Sequence, residues 1–367
     1  MCVDLRYVNQ GTIDDKYPMK RVDEILSKYS RADLLTTLDA VQGYYQIPMQ
    51  AESIPYTAFV THRGQYENVY MPFGLKCASQ TFQRALDKIL NPVRDCAGSY
   101  IDDICCHSKG DVSNHLYNLK RVLTVIRDAG LTLKLKKCKF LHKCINFVGF
   151  VIGGGVIKPN PEKVRALSLL KEPESKKQVR SVLGMFQYYH HHIPNFSMIA
   201  LPLTEMTKKR CSNLFFLNDE QRNAFNTLKR ALLDAVDLYS PRMDKPFVVH
   251  SDASEAVIAG CLSQRDENGK EVPISFVSKK LTDTQRRWSV IEKEAYAILY
   301  CLNQFDYYIY GNEVELYTDH NPLTYLTESA PKSAKLTRWC LGLQRWKVKL
   351  KYKKSKDNVV ADCLTRV

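Results

Sequence analysis

The chain has 367 residues with a formal net charge of +14, and 45% of its residues are hydrophobic. This length predicts two to four domains, and the apolar content excludes a disordered chain. The positive charge favours a polyanionic partner, either nucleic acid or an acidic membrane surface. No apolar run is long enough to predict a membrane span. The chain also has neither the layout of a signal peptide nor the paired cysteine spacing of a secreted disulfide scaffold, which favours an intracellular protein with reduced thiols.

Residues 1–157 combine short strands and helices. The run Leu34–Leu38 predicts a buried strand that ends at Asp39, and Asp102 and Asp103 lie between apolar residues, as at the tip of a tight hairpin. Apolar residues at helical spacing predict a helix over 113–129, and the alternation over Leu131–Leu135 predicts a strand.

Residues 158–215 have the pattern of a small helical domain. Pro159 and Pro161 open a helix that continues through Val164, Leu167 and Leu170, and a second helix is predicted from about Ser175 to His191. Residues 216–245 then contain one amphipathic helix, with Phe225, Leu228 and Leu232 on one face, and a linker with a proline.

From Pro246 onward the pattern is that of a compact α/β domain. Strands are predicted at Phe247–Val249, running into Asp252, at Ala259–Leu262, at Ile274–Val277 and at Glu313–Tyr317, which ends at Asp319. A long helix is predicted over 285–308, with Ala295, Ile298, Leu299 and Leu302 on one face, and a last helix over Val359–Leu364.

Three carboxylates in the first region have a chemistry in common. Asp39 ends an apolar strand, and Asp102 and Asp103 are adjacent between buried segments, where two anions are costly unless a cation offsets them. Most Asp-Asp pairs are solvated surface turns. Hard oxygen ligands of this kind suit Mg²⁺, however, and three converging carboxylates are what two-metal phosphoryl transfer requires.

The order of motifs along the chain identifies a family. LTTLDAVQGYYQI, TAFVTHRGQYENVYMPFGLKCASQTFQ, SYIDDICCHSK, LTLKLKKCKF, NFVGFVI, VIKPNPEKVRAL and QYYHHHIPNFS follow one another with the spacing seen in gypsy-type LTR retrotransposons. In this ordered series the chain resembles their reverse transcriptase and RNase H region over essentially its whole length.

The resemblance implies specific roles in the polymerase half. Asp39, Asp102 and Asp103 are expected to hold two Mg²⁺ ions, or Mn²⁺ in their place. Contacts to the incoming deoxynucleoside triphosphate are expected from Tyr44 as the steric gate against a ribose 2′-hydroxyl, with Phe73 and Arg6. Contacts to template and primer are expected from Pro72, Gly74, Phe147, Val148, Gly149 and Phe150. Ordinary core packing is the alternative for Tyr44, and a plain apolar strand with a glycine bulge is the alternative for the last four residues.

The last third contains a second set of carboxylates. The contexts SDAS, IEKEAYAIL, YTDHNPL and NVVADCLTR resemble the gypsy-type RNase H domain. The resemblance implies that Asp252, Glu294, Asp319 and Asp362 bind a second pair of divalent ions and cut the RNA strand of an RNA–DNA hybrid. Glu294 is preferred over Glu292 because the apolar helix face follows it, and a solvated position is expected for Glu292.

Basic and histidine-rich stretches leave several interpretations. Residues 331–356 contain ten Lys or Arg and no acid, and lysines alternate with apolar residues over 347–353. That strand predicts one basic face, which either contacts phosphates or is a solvated edge that prevents aggregation; the lysines at 134, 136, 137 and 139 have the same two interpretations. The triplet His190–His192 is expected on a helix face near the template–primer, and the spacing of Cys138, His142 and Cys144 does not favour a zinc site.

These observations predict an α+β multidomain chain. Residues 1–157 are expected to form the fingers and palm of a right-hand polymerase, 158–215 its helical thumb, 216–245 a connection, and 246–367 an RNase H-like α/β domain. The family pattern continues before Met1 with an Arg and a fingers segment, so the fingers are expected to be incomplete and polymerisation to be weaker than hybrid cleavage.

The resemblance also implies partners. These are an RNA template, a DNA primer, RNA–DNA hybrid and deoxynucleoside triphosphates, within a larger Pol polyprotein that carries protease and integrase, in a cytoplasmic virus-like particle or in the nucleus. The oligomeric state stays open. A catalytically silent nucleic-acid-binding remnant is the alternative that the missing fingers favour, whereas a DNA-templated repair polymerase would leave the RNase H carboxylates unexplained.

Overall fold

The computed structural model describes residues 3–214, 216–319 and 334–353. The chain divides into two compact units, Met1–Ile157 and Lys158–Val367. Within the described residues, no helix has the length and apolar character needed to cross a bilayer. The helix expected over Val359–Leu364 lies outside the described residues, and the finer division of the second unit into thumb and connection stays a prediction.

The first unit alternates helices with short strands. Its helices are α1 (Arg6–Gly11), α2 (Val22–Ser30), α3 (Ala78–Leu90) and α4 (Val112–Asp128). Its strands are β1 (Leu34–Asp39), β2 (Phe59–Thr61), β3 (Gly64–Tyr66), β4 (Ala97–Tyr100), β5 (Asp103–Ser108), β6 (Lys139–His142), β7 (Ile145–Phe147) and β8 (Phe150–Gly153), and β9 (Val156–Pro159) crosses into the second unit.

A four-stranded sheet in the order β4-β5-β1-β6 organises this unit. Leu38 and Ile104 on its strands pack against Phe82 and Leu86 of α3 and against Val122 of α4, and all five side chains are buried. The predicted helix over 113–129 is therefore present. Its stripe is narrower than the sequence suggested, because Leu116 and Leu123 are exposed.

The strand predicted over Leu131–Leu135 is wrong. Only Leu133 forms a bridge, to Ala40, and a 3₁₀ turn follows at Leu135–Lys137. The segment makes only two backbone hydrogen bonds with the end of β1, from Lys134 to Asp39 at 2.8 Å and from Val41 to Thr132 at 3.0 Å, and the amide of Thr132 donates to the side chain of Gln46 instead of to a strand. Leu135 is consequently exposed, although the alternation of apolar residues had placed it on a buried face.

The second unit begins with helices and continues with a large sheet. Its helices are α5 (Pro161–Ser168), α6 (Lys176–Gln187), α7 (Phe196–Ile199), α8 (Leu201–Met206), α9 (Asp219–Leu233), α10 (Asp283–Arg286), α11 (Val290–Ile309) and α12 (Ala334–Leu343). Its strands are β10 (Leu238–Tyr239), β11 (Phe247–Ala253), β12 (Val257–Arg265), β13 (Glu271–Lys280), β14 (Glu313–Thr318) and β15 (Lys347–Tyr352).

The five-stranded sheet has the order β13-β12-β11-β14-β15, with β11, β14 and β15 parallel to one another. Helix α11 covers one face, where its residues Ile298 and Leu302 pack against Val249, Leu262 and Leu316 of the strands. Because β11 and β14 are parallel neighbours, their carboxyl ends meet at one edge of the sheet. This edge carries Asp252 and Asp319.

The histidine triplet differs from the prediction. Helix α6 ends at Gln187, and His190–His192 form a 3₁₀ turn instead of a continued helix face. The Nδ1 atom of His191 lies 3.0 Å from the carbonyl oxygen of Phe276, and Nδ1 of His192 lies 2.9 Å from that of Val236. The turn therefore packs on β13 and on the segment before β10, and His192 is buried.

Candidate active sites

The first unit contains the predicted carboxylate hairpin. Strands β4 and β5 are joined by a two-residue turn, Ile101-Asp102, with Tyr100 paired to Asp103. Ile101 has φ 51°, a left-handed conformation that is strained for a β-branched residue. The turn thus places two adjacent carboxylates at the end of an otherwise buried hairpin.

Asp39 reaches the same end of the sheet. Strand β1 pairs with β5 in a register that sets Asp39 opposite Asp103. Loss of hydration raises the pKa of Asp102, and the nearby charge of Asp39 raises it further; the pKa of Asp103 is raised by the same loss and then by Asp102 and Asp39. The three carboxylates therefore repel one another and favour a cation among them.

A lysine supplies part of that positive charge. Nζ of Lys137 lies 3.1 Å from Oδ2 of Asp39, and its charge lowers the pKa of both Asp102 and Asp103. The sequence pattern placed Lys137 only in a general basic stretch. Its position in the 3₁₀ turn that replaced the predicted strand brings it to the carboxylates.

Of the three residues expected to contact the nucleotide, Tyr44 and Phe73 lie together and Arg6 pairs elsewhere. Tyr44 stacks at a tilt on Phe73, with ring centroids 4.9 Å apart, and its hydroxyl lies 2.9 Å from Oγ of Ser79. Asp102 is close enough to raise the pKa of Tyr44, although burial raises it more. Arg6, by contrast, is exposed and forms an ion pair with Asp4 at 2.6 Å.

The expected primer and template contacts lie on two turns. Pro72 is buried, Phe73 is exposed, and Gly74 adopts φ +100° and accepts a hydrogen bond from Asn9 at 2.8 Å. The segment from Phe147 to Phe150 forms the predicted hairpin. Its two phenylalanines are buried and paired, and Val148 and Gly149 form the turn, both with positive φ.

The second unit holds a tighter acidic cluster. Asp252 lies on β11, Glu294 on α11 and Asp319 directly after β14, and their carboxylate oxygens all lie within 4.8 Å of one another. Among the described residues this is the only group of three possible metal ligands found so close together. Asp102, Asp103 and Asp39 are not such a group, and Cys138, His142 and Cys144 are not one either.

Glu294 is the most perturbed member of the cluster. It is 4% exposed, and its Oε2 atom has no hydrogen-bond partner. Burial raises the pKa of Glu294 to about 9, and Asp252 and Asp319 add to the shift. A buried carboxylate that faces two more carboxylates requires either a proton or a cation.

Glu292 has a different environment. Its carboxylate accepts a hydrogen bond from the amide of Ser289 at 3.1 Å, which caps α11, and forms an ion pair with Lys335 at 3.2 Å. Of the two glutamates considered, only Glu294 therefore joins the cluster. Asp362, the fourth carboxylate expected here, lies outside the described residues.

The lysine face of the final strand is less cationic than its sequence suggests. Strand β15 has the predicted alternation, with Val348 and Leu350 packed on the core. Lys351 lies 2.6 Å from Glu315, and Lys349 lies 3.7 Å from Glu313, both on the neighbouring β14. Cross-strand pairing thus offsets these two lysines, which the sequence could not indicate because β14 is distant along the chain.

The sequence pattern also gave no indication of a buried glutamine beside the Ile101-Asp102 turn. Oε1 of Gln83 accepts a hydrogen bond from the Ile101 amide at 2.7 Å, and the side chain is completely buried. In sequence Gln83 is one polar residue in an amphipathic helix, with nothing to distinguish it. Only the packing of α3 against the hairpin identifies it.

Both parts of the chain are similar to known proteins. Residues 1–152 match the sequence model of reverse transcriptase (RNA-dependent DNA polymerase), and residues 242–346 match that of the RNase H-like domain found in reverse transcriptase. The fold is similar to that of a foamy viral protease–reverse transcriptase in complex with dsDNA, with a TM-score of 0.82 and 24% identity over 97% of this chain and 75% of that one. The same enzyme in complex with an RNA/DNA hybrid gives a TM-score of 0.77 over 96% of this chain and 48% of that one, also at 24% identity.

Curated relatives are similar along the whole chain. The Pol polyproteins of the Drosophila melanogaster transposons 297, opus and gypsy are 40%, 37% and 34% identical over 100% of the chain. The chain spans about a third of their length, namely 34%, 38% and 36%. The chain therefore contains a reverse transcriptase domain and an RNase H-like domain, and along its whole length it is similar to Pol polyproteins of the gypsy type.

Proposed function

We propose that this chain is an RNA-directed DNA polymerase that also copies DNA, joined to a ribonuclease H that cuts RNA in RNA–DNA hybrids. The observation that carries the proposal is the cluster of Asp252, Glu294 and Asp319, whose oxygens lie within 4.8 Å of one another. The cross-strand pairing of Asp39 with Asp103 supports the proposed polymerase activity.

The donor set fits hard divalent cations. All the groups in both clusters are carboxylate oxygens, which suit Mg²⁺, with Mn²⁺ as the alternative, and the unpartnered Oε2 of Glu294 is a ligand atom with no competing hydrogen bond. When bound, a pair of such ions at each site would activate the attacking oxygen and offset charge on the phosphate.

Residues of the chain would position the reactants. In the ribonuclease site, Asp252, Glu294 and Asp319, with Asp362 as a fourth ligand, would hold the ions on a rigid sheet edge. In the polymerase site Asp39, Asp102 and Asp103 would do so at the hairpin. The partly buried Tyr44 ring, fixed through Ser79 and Phe73, would clash with a ribose 2′-hydroxyl.

Other residues would guide the nucleic acid. The turn Pro72–Gly74 is assigned to the template side of the new base pair, and the hairpin Phe147–Phe150 to the primer end. Arg6 would reach a nucleotide only after leaving Asp4. The natural setting would be a Pol polyprotein with protease and integrase, acting in a virus-like particle or in the nucleus during retrotransposon replication.

The two activities should be separable because the two clusters lie in different units. We expect Asp252→Asn to abolish RNA cleavage and to retain most primer extension, and Asp102→Asn to do the reverse. Both reactions would be followed on one RNA–DNA substrate with a label on each strand, and Glu292→Gln serves as the control that removes a nearby carboxylate outside the cluster.

Two results would contradict the proposal. Equal loss of both reactions in each variant would indicate one shared site or misfolding. A wild-type chain that binds hybrid but neither extends nor cleaves, in Mg²⁺ or Mn²⁺, would instead support the silent remnant.

A further inference from the structure

An extended N-terminal segment, residues 13–21, has no helix or strand and is held on α3. The hydroxyl of Tyr17 donates to Oδ2 of Asp87 at 2.9 Å, and Lys20 forms an ion pair with the same carboxylate. The guanidinium of Arg84 pairs with Asp15 and lies 5.0 Å from the Tyr17 ring centroid. The side chains of Tyr17 and Lys20 therefore meet on Asp87, one turn beyond Gln83 on α3.

Asp87 connects this segment to the buried glutamine. Nε2 of Gln83 donates to Oδ1 of Asp87 at 3.1 Å and to Oγ of Ser99 at 3.1 Å, while its Oε1 accepts from the Ile101 amide at 2.7 Å. An ionised carboxylate only accepts and a backbone amide only donates, so the two ends of the Gln83 amide cannot be exchanged. Asp87 thus stabilises, together with the carbonyl of Ser99, the orientation of the Gln83 amide in which Oε1 accepts from Ile101.

This series of hydrogen bonds ends at Ile101, a strained residue in the turn between β4 and β5. Ile101 has φ 51°, and backbone strain of this kind persists only where the surroundings hold it. The next two residues are Asp102 and Asp103. The amide of Ile101 is restrained by its hydrogen bond to Gln83.

We propose that Tyr17 and Asp87 are positioning residues for the polymerase carboxylates, acting through Gln83 on the backbone of the Ile101-Asp102 turn. The inference rests on the proposed polymerase function. It assigns to residues 13–21 the role of fixing the geometry of a hairpin more than 80 positions away in the sequence, without contact with substrate.

Amide hydrogen exchange resolved to single residues tests the connection without any need for activity. Tyr17→Phe removes only the hydroxyl, and Asp87→Ala removes the acceptor. A hydrogen bond weakened by about 1 kcal/mol corresponds to about fivefold faster opening, so the Ile101 amide should exchange several-fold faster in both variants. Asp14→Asn is the matched control, because Asp14 lies on the same segment and pairs at 2.7 Å with Lys76 instead.

Steady-state primer extension provides the second measurement. We expect kcat to fall several-fold in Tyr17→Phe and more in Asp87→Ala, with KM for the nucleotide nearly constant and hybrid cleavage unchanged. Asp87→Asn, which retains an acceptor for Gln83, should recover part of kcat. If Asp87→Ala fails to fold, Tyr17→Phe alone carries the comparison.

The outcomes separate this inference from the proposed function. Exchange at Ile101 equal to that of Asp14→Asn would overturn the inference, and so would faster exchange with unchanged kcat. A wild-type chain that does not extend primers would contradict the proposed polymerase. In that case the exchange result would still decide whether Tyr17 and Asp87 hold the turn.

Discussion

Replacing Glu294 with Gln should make the metal-free protein more stable while abolishing hybrid cleavage. Gln keeps the size of the side chain and removes its charge. The pKa of Glu294 is raised from 4.5 to about 9 in the folded chain. Between pH 4.5 and about 9, folding therefore requires the Glu294 side chain to take up a proton. The contribution of Glu294 to stability becomes progressively more unfavourable as pH rises through this range.

The magnitude follows from the pKa difference. At pH 7 the folded side chain is still protonated, and the unfolded one lies about 2.5 pH units above its pKa, so at about 1.4 kcal/mol per unit the cost is about 3 kcal/mol. The substitution should recover at most this amount at pH 7, less at pH 5, and more toward pH 9. The unsatisfied amide of the new Gln reduces the gain.

The assay uses a spectroscopic advantage of the chain. Its three tryptophans, Trp288, Trp339 and Trp346, all lie in the second unit, so fluorescence during urea unfolding follows the unit that contains Glu294. Measurements in EDTA at pH 5, 7 and 8 would compare wild type, Glu294→Gln and Glu292→Gln. The last variant should change stability by less than about 1 kcal/mol, because Gln still accepts the hydrogen bond from the Ser289 amide and only the Lys335 ion pair is lost.

Addition of Mg²⁺ gives the complementary result. The wild type should gain stability with rising Mg²⁺ concentration, because a ligand that binds only the folded state stabilises it, and Glu294→Gln should gain much less. The reasoning is refuted if Glu294→Gln in EDTA is no more stable than wild type at pH 8. It is equally refuted if the difference between them does not grow with pH.

Three further predictions follow from particular contacts. A Cβ atom at Gly98 would lie 2.3 Å from the Tyr29 hydroxyl, so Gly98→Ala should destabilise the first unit by about 1–3 kcal/mol. Gly184 lies within α6 and has no atom near the position of an added Cβ, so Gly184→Ala should stabilise the second unit by up to about 1 kcal/mol. Unfolding followed by circular dichroism would measure both changes. Burial lowers the pKa of His192 from 6.5 to about 4, so up to about 3 kcal/mol of stability should disappear as pH falls from 6.5 to 4, and His192→Asn should flatten this dependence in fluorescence-detected unfolding. Tyr44→Ala should admit ribonucleotides in single-turnover incorporation assays, and unchanged sugar discrimination would reject the gate.

The sequence alone determined most of the secondary structure and the positions of the acidic residues. Apolar runs that stop at Asp39, Asp252 and Asp319 predicted strands with carboxylates at or just beyond their ends, and the strands are present. The prediction succeeds because a buried strand requires consecutive apolar residues, and a carboxylate is costly to bury except at the end of such a run.

The incorrect predictions share a physical cause. The alternation over Leu131–Leu135 is compatible with a strand, but the amide of Thr132 donates to the side chain of Gln46, and a 3₁₀ turn begins at Leu135. The His190–His192 triplet extends a helical pattern, but the side chains of His191 and His192 pair with carbonyl groups more than 40 residues away. Local periodicity specifies which faces are apolar, and it does not specify which partner a backbone or a polar side chain will find.

Only the tertiary structure decided which charged groups meet. The register of β1 against β5 placed Asp39 opposite Asp103, and the packing of α11 on the sheet brought Glu294 to Asp252 while Glu292 capped the helix. Electrostatic interactions depend on distance and on local hydration, and both are set by chain segments that are remote in sequence. The sequence therefore named the acids of the two candidate sites, whereas the fold determined their neighbours and thereby raised the pKa of Asp102, Asp103 and Glu294.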